Sequence, residues 1–313
     1  MKLPRLFLLR GRFWAGFLPW AWLLLFFTLP FALIVDVSLS SPELSVPPYV
    51  SPLSLGPDGQ LHWSPDATPY RRLRDELGAL AQPGADRPYL AAWGNSLGLA
   101  ALTTAVCLVI GYPFAYQIAR SAEVSRQTLL MLVMLPFWTS FLLRVYAWMS
   151  LLDSSEVGLI NQALLAAGWI EEPLPLLYNS GAVLVGMVYS YLPFMVLPLY
   201  AHLVKLDNRL LEAARDLGAR PAVIFLSITL PLSWRGIVAG SMMVFIPAVG
   251  EFVIPDLLGG GDVMMIGRRI WDDFGPNQDW PMAAAVAVVM VLLLIGPIML
   301  LRRHGRAAPG SLR

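Results

Sequence analysis

The chain has one cysteine, Cys107, and three histidines, His62, His202 and His304. A lone thiol excludes an intrachain disulfide and any site built on paired cysteines. The histidines are too far apart in sequence to show metal-ligand spacing, and no nucleophile and base stand at readable spacing, which argues against a membrane-embedded enzyme. Charge is scarce: 14% of residues are Asp, Glu, Lys or Arg, against about 25% in an ordinary soluble domain. The net charge of +1 argues against nucleic acid, which selects a basic face. No G-x-x-x-x-G-K-[ST] run occurs, so nothing here cradles ATP phosphates in that way.

What the chain has in abundance is apolar surface, 57% of its 313 residues, and it is collected into runs. A membrane helix needs about 20 apolar residues to cross roughly 30 Å of hydrocarbon. Six runs meet that length, approximately 13–35, 91–119, 129–152, 182–203, 237–258 and 283–301. The fold class expected is therefore an all-α membrane protein with six transmembrane helices. The first run exceeds a signal-peptide core of about 7–15 residues and lacks a clean cleavage site, so it reads as a retained helix.

Basic residues orient these spans. Lys2, Arg5, Arg10 and Arg12 precede the first, Arg120 and Arg126 fill the second connection, and Lys205, Arg209, Arg215, Arg220 and Arg235 the fourth. Arg302, Arg303, Arg306 and Arg313 follow the last. Fifteen Lys and Arg thus fall on one side and six on the other. By the positive-inside rule the richer side, with both termini, is cytoplasmic. The organisation expected is a cytoplasmic N-terminus (1–12), a first transmembrane helix (13–35), a periplasmic loop (36–90), a five-helix core (91–301) and a cytoplasmic tail (302–313). The 36–90 loop is rich in proline, which disfavours helix and strand. It reads as an irregular cap, with one short helix over 71–81, rather than as a separate domain. The outer connections carry Asp153, Glu156, Glu171, Glu172, Asp262, Asp272, Asp273 and Asp279. That is either a solvated surface or a negative mouth that concentrates cations.

Three ionisable residues lie in or near the membrane: Arg144, Glu251 and Asp256. Facing lipid would be costly, so each is expected to point inward or find a partner. Counting residues from the cytoplasmic ends puts Arg144 and Glu251 at similar depth, roughly 21–23 Å in. Two readings follow: an Arg144–Glu251 ion pair that fixes packing, or a Glu251 carboxylate offered to a passing ammonium group. Pro247, Gly250 and Pro255 bracket Glu251, and such breaks expose carbonyls where a cavity uses them. Tyr189 and Tyr191, at similar depth, are packing residues or cation–π faces. Gly94/Gly98 and Gly236/Gly240 make small-xxx-small pairs suited to close helix packing.

The most informative segment lies between the fourth and fifth runs. Leu210, Ala213, Ala214 and Leu217 recur at i, i+3, i+4 and i+7, one apolar face of a helix. Asp207 or Asn208 suits its cap, Gly218 a left-handed stop, and Pro221 blocks continuation. The spacing predicts a short amphipathic helix over about 208–218. The order Glu212-Ala213-Ala214, then Gly218, then Ile228 and Leu230-Pro231 resembles the EAA motif of bacterial ABC-importer permeases. The runs 135–140, 191–198 and 246–255 extend that likeness to the putrescine/spermidine permease subunits, the putrescine type being the preferred match.

The resemblance implies a type I importer permease in the bacterial inner membrane, with Glu212, Ala213, Ala214, Gly218, Ile228, Leu230 and Pro231 coupling it to an ATPase. It implies a second homologous permease, two ATPase subunits that hold ATP and Mg, and a periplasmic solute-binding protein, with no cofactor in this chain. Glu251, Tyr189, Tyr191 and Asp256 are the candidate path residues. The alternatives are a permease of the same type for spermidine, iron or sulfate, a membrane enzyme, and a non-catalytic scaffold.

Overall fold

The computed structural model describes residues 17–43, 45–55, 60–79 and 86–306. The chain divides into two compact units, one of residues 1–86 with 270–293, the other of 87–269 with 294–313.

In the first unit, helix α1 (Phe17–Ser38) is long and apolar enough to cross a membrane, and none of its most apolar stretch is buried. The start of the 13–35 run, residues 13–16, lies outside the described residues. The stretch after α1 is more ordered than its prolines suggest. Strands β1 (Ser41–Pro42) and β2 (Tyr49–Val50) pair antiparallel, as do β3 (Leu53–Leu55) and β4 (Leu61–Trp63). Proline is tolerated because every strand of a two-stranded ribbon is an edge strand. Helix α2 (Thr68–Gly78) starts three residues earlier than 71–81. The Asp66 carboxylate accepts from the Thr68 amide at 2.9 Å and its hydroxyl at 2.5 Å, and Pro69 suits the first turn. Those bonds hold the Asp66 carboxyl below its usual range. Phe274 stacks on Trp280 at 4.6 Å and Tyr49 lies 5.8 Å from the same indole.

The second unit is built on α3 (Pro88–Arg120), α7 (Ser180–Leu203) and α9 (Pro221–Val249), which pack on one another. Helix α7 is the central one: 56% of its most apolar window is buried, twice the share of α3 or α9. Met187, Met195, Leu199 and Leu203 of α7 and Val244 of α9 are fully enclosed. The Tyr112 hydroxyl of α3 meets the Ser233 hydroxyl of α9 at 2.9 Å. Around this core run α4 (Glu123–Met134, continued as a 3₁₀ turn Leu135–Trp138), α5 (Phe141–Leu152), α6 (Leu159–Ala166), α8 (Asn208–Asp216) and α10 (Val253–Gly259). Helices α11 (Ile266–Phe274) and α12 (Trp280–Arg306) follow, each divided between the two units, with residues 270–293 counted in the first.

The six expected spans are not six continuous helices. Four are: α1, α3, α7 and α9. The 129–152 run is broken between α4 and α5 by 87°. Pro136 tightens the end of α4 and Thr139 is extended. The last run falls in α12, whose described apolar part is Trp280–Gly296. The fifth span also begins and ends earlier than 237–258, because Pro221, expected only to block α8, is the first residue of α9.

Of the two glycine pairs, one packs within the chain. A Cβ on Gly240 would stand 3.0 Å from the Met195 carbonyl oxygen, and one on Gly236 2.9 Å from His202 Cβ. Beside Gly94 and Gly98 there is open space among the described residues. Gly240→Ala is expected to destabilise by about 1–2 kcal/mol, the backbone displacement outweighing the gain in helix propensity. Gly98→Ala is expected to leave thermal stability unchanged or raised. Melting temperatures of the two purified variants check this.

Candidate functional site

Helix α8 is the surface feature that the sequence places most firmly. The Asp207 carboxylate accepts from the Arg209 amide at 3.0 Å and caps its start. At its end Gly218 has φ +79°, and its amide donates to the Arg215 carbonyl at 2.8 Å. Only a residue without Cβ takes that conformation freely. Leu211, 4% exposed, anchors the helix to the unit. The apolar face expected from periodicity is uncovered: Leu210 is 50% and Leu217 88% exposed, and Ala213 and Glu212 are exposed with them. Ala214 is half-buried.

The remaining motif positions lie on the first turns of α9. Ile228 falls in a π-helical turn, Phe225–Thr229, and the Leu230 amide reaches back to the Phe225 carbonyl. Pro231, which is exposed, has no amide to donate and its ring would strike the carbonyl four residues earlier. The widened turn just before it relieves that clash. The motif therefore joins a short surface helix to a span through one locally unwound turn.

A second cluster lies where α9 ends. Glu251 occupies the break between α9 and α10 and is 9% exposed. Its Oε2 accepts from the Tyr191 hydroxyl. Its Oε1 accepts from the amides of Phe252, Val253 and Ile254 at 3.1, 3.0 and 3.4 Å. The carboxylate thus caps α10 and ties it to α7. Asp256 pairs with Arg268 at 3.2 Å, and Arg268 also donates to the Gly260 carbonyl. Arg268 was not singled out by the sequence, nor were Asn95 and Ser96. Asn95 donates to the Met264 carbonyl at 3.1 Å and Ser96 accepts from the Ile266 amide at 2.8 Å. A polar residue within an apolar helix, such as Ser96, is the only signal that could have marked them.

The expected Arg144–Glu251 ion pair does not form. The depth count presumed unbroken helices, whereas the bend before α5 and the end of α9 displace both residues. The Arg144 guanidinium lies over the Phe137 and Phe141 rings, 5.4 and 5.6 Å from their centroids. Its Nε and Nη1 make no hydrogen bond. Tyr189 and Tyr191 do not converge either: Tyr189 is 36% exposed and meets Trp148 edge-on at 5.5 Å. Arg144→Met keeps an apolar stem and gives up no ion pair, so it is expected to change the stability of the isolated subunit by less than about 1 kcal/mol. Chemical denaturation in detergent measures it.

Residues 124–302 match the family described as binding-protein-dependent transport system inner membrane component. The matched segment takes in the broken span, α7, the whole motif and α9. The chain belongs to this family. As a member, it is a multi-pass component of the bacterial inner membrane and a transport subunit rather than an enzyme. Among relatives of this permease is the spermidine/putrescine transport system permease protein PotB of Haemophilus influenzae. It is 44% identical over 200 residues, which are 64% of this chain and 69% of that protein. PotB of Escherichia coli K12 is 42% identical over 200 residues, covering 64% and 72%. The Escherichia coli K12 inner membrane ABC transporter permease protein YdcU is 32% identical over 224 residues, covering 67% and 70%.

Among solved structures, this permease is similar to a chain of a bacterial ABC transporter that imports alginate. The TM-score is 0.62 at 19% identity, over 96% of this chain and 99% of that one. A chain of the MetNI methionine ABC transporter gives a TM-score of 0.53 at 18% identity, covering 70% and 95%. At such identities the likeness is one of fold, that of the type I ABC importer permeases.

Proposed function

We propose that this chain is one of the two transmembrane subunits of an ATP-driven importer, that it passes a polyamine from a periplasmic binding protein to the cytoplasm, and that putrescine is the preferred cargo. The observation that carries this reading is the 44% identity to a protein described as a spermidine/putrescine permease. Helix α8 supports the coupling. A separate ATPase docks on its uncovered face, and closure of the ATPase pair, with its ATP and Mg, moves α8 and through it α9. The charge bias of the connections supports the orientation, with α8 and both termini in the cytoplasm. Glu251 and Tyr191 serve to hold α10, since their polar atoms are engaged with each other and with the backbone. Tyr189 keeps an exposed ring and is the residue assigned to the path, where its face meets an ammonium group.

The test is uptake of radiolabelled putrescine and spermidine by the complex reconstituted with its own binding protein. Higher kcat/KM for putrescine is the expected result. Preference for spermidine overturns the choice of cargo, and transport of neither, with the ATPase active, overturns the polyamine class.

A further inference from the structure

The β3–β4 hairpin leaves an apolar face uncovered by any of the described residues. Leu53 stands directly opposite Trp63 in the register, and Leu61, two residues from Trp63, projects from the same side. All three are exposed, at 52%, 60% and 67% for Leu53, Trp63 and Leu61. An uncovered indole flanked by leucines is not how a water-facing ribbon is built. The segment around it is also nearly free of charge: between Ser45 and Pro65 only Asp58 carries one.

The place of the hairpin names the occupant. Its base is fastened to the end of α1, the span that crosses the bilayer. The Asp66 amide donates to the Leu39 carbonyl at 2.8 Å, and the Ser51 hydroxyl to the Asp36 carboxylate at 3.1 Å. The Ser64 amide closes the ribbon on the Pro52 carbonyl at 2.9 Å. Helix α1, described from Phe17 to Ser38, spans about 33 Å at the helical rise, enough to cross the hydrocarbon core. Its apolar run ends at Val35 and is followed by Asp36, Ser38 and Ser40, which places Ser38 at the edge of the lipid headgroups. Trp63 is three residues from Asp66, so at about 3.3 Å per residue it lies within about 10 Å of that edge. Headgroup depth is where amphipathic indoles are most at home.

We propose that the β3–β4 hairpin lies on the bilayer surface, with Leu53, Leu61 and Trp63 seated among the lipid headgroups as an anchor for the end of the first span. The face takes lipid rather than a protein partner because its base is fastened to the outer end of a span and it offers no charge for a partner to read.

The test uses the assembled transporter in phosphatidylethanolamine/phosphatidylglycerol nanodiscs. Trp63→Cys and, separately, Leu61→Cys are labelled with a small fluorophore; the native Cys107 is fully buried and is replaced by serine in a control. Arg74→Cys, at a side chain 75% exposed, is the water-facing reference. Positions 63 and 61 are expected to be quenched several-fold more by headgroup nitroxide lipid, relative to aqueous iodide, than position 74. Quenching by iodide equal to that at position 74 overturns the proposal. So does shielding that appears only when the binding protein is added, which would make the face a protein-docking surface.

Discussion

Replacing Gly218 with aspartate is expected to abolish solute-stimulated ATP hydrolysis by the assembled importer, with a loss of at least about tenfold, or ~1.4 kcal/mol of coupling free energy, while the subunit still inserts. Two effects combine. The turn has φ +79°, where a Cβ costs roughly 1–2 kcal/mol. Among the described residues nothing lies within 4 Å of that Cβ, so the added group projects into the space that the docked ATPase would fill. There it brings a charge to a face made of Leu210, Ala213 and Leu217. Asparagine has nearly the same shape and also visits the left-handed region, so Gly218→Asn is expected to retain most of the coupling. The contrast between the two variants isolates charge at the interface from backbone strain. Native coupling in the aspartate variant would remove α8 from the docking surface.

The reason α8 could be read in advance is that each of its determinants is local. Asp207 caps through a neighbouring amide, Gly218 stops the helix by its own conformation, and Leu210, Ala213 and Leu217 follow the helical period. The same locality explains what was missed. Hydropathy carries no direction, so an apolar run that turns by 87° after Trp138 reads like a straight one. Pro136 was a visible signal, but proline is common enough in membrane helices that it does not fix a break. The count behind the depth of Glu251 started from an apolar window at 237–258, whereas α9 begins at Pro221 and ends at Val249. The Asp256–Arg268 pair closes a loop through Gly259-Gly260-Gly261, a return that no periodicity predicts. In the 36–90 region, proline counting pointed away from strands, yet ribbons of two or three residues form there, one of them through Pro42, because an edge strand tolerates proline.

Glu251→Ala is the second change expected to have a large effect, and on stability first. In the native structure one carboxylate satisfies the Tyr191 hydroxyl and three amides at the start of α10. Its removal leaves those donors without partners at a site 9% exposed. Each orphaned buried group costs about 1–3 kcal/mol, and the first turn relaxes enough to recover part of it, so a net loss of about 3 kcal/mol is expected. Glu251→Gln keeps an oxygen for the amides and presents its NH₂ to the Tyr191 oxygen, which accepts as well as donates. It is expected to recover at least half of the lost stability. Tyr191→Phe gives up a single hydrogen bond and is expected to cost about 1–2 kcal/mol. Melting temperature in nanodiscs, read beside KM and kcat for uptake, distinguishes a structural clasp from a path residue. A clasp lowers the melting temperature and kcat together and leaves the KM of the glutamine variant unchanged. An alanine variant that melts like the native protein but takes up solute with a raised KM would show instead that the Glu251 carboxylate meets the passing cation.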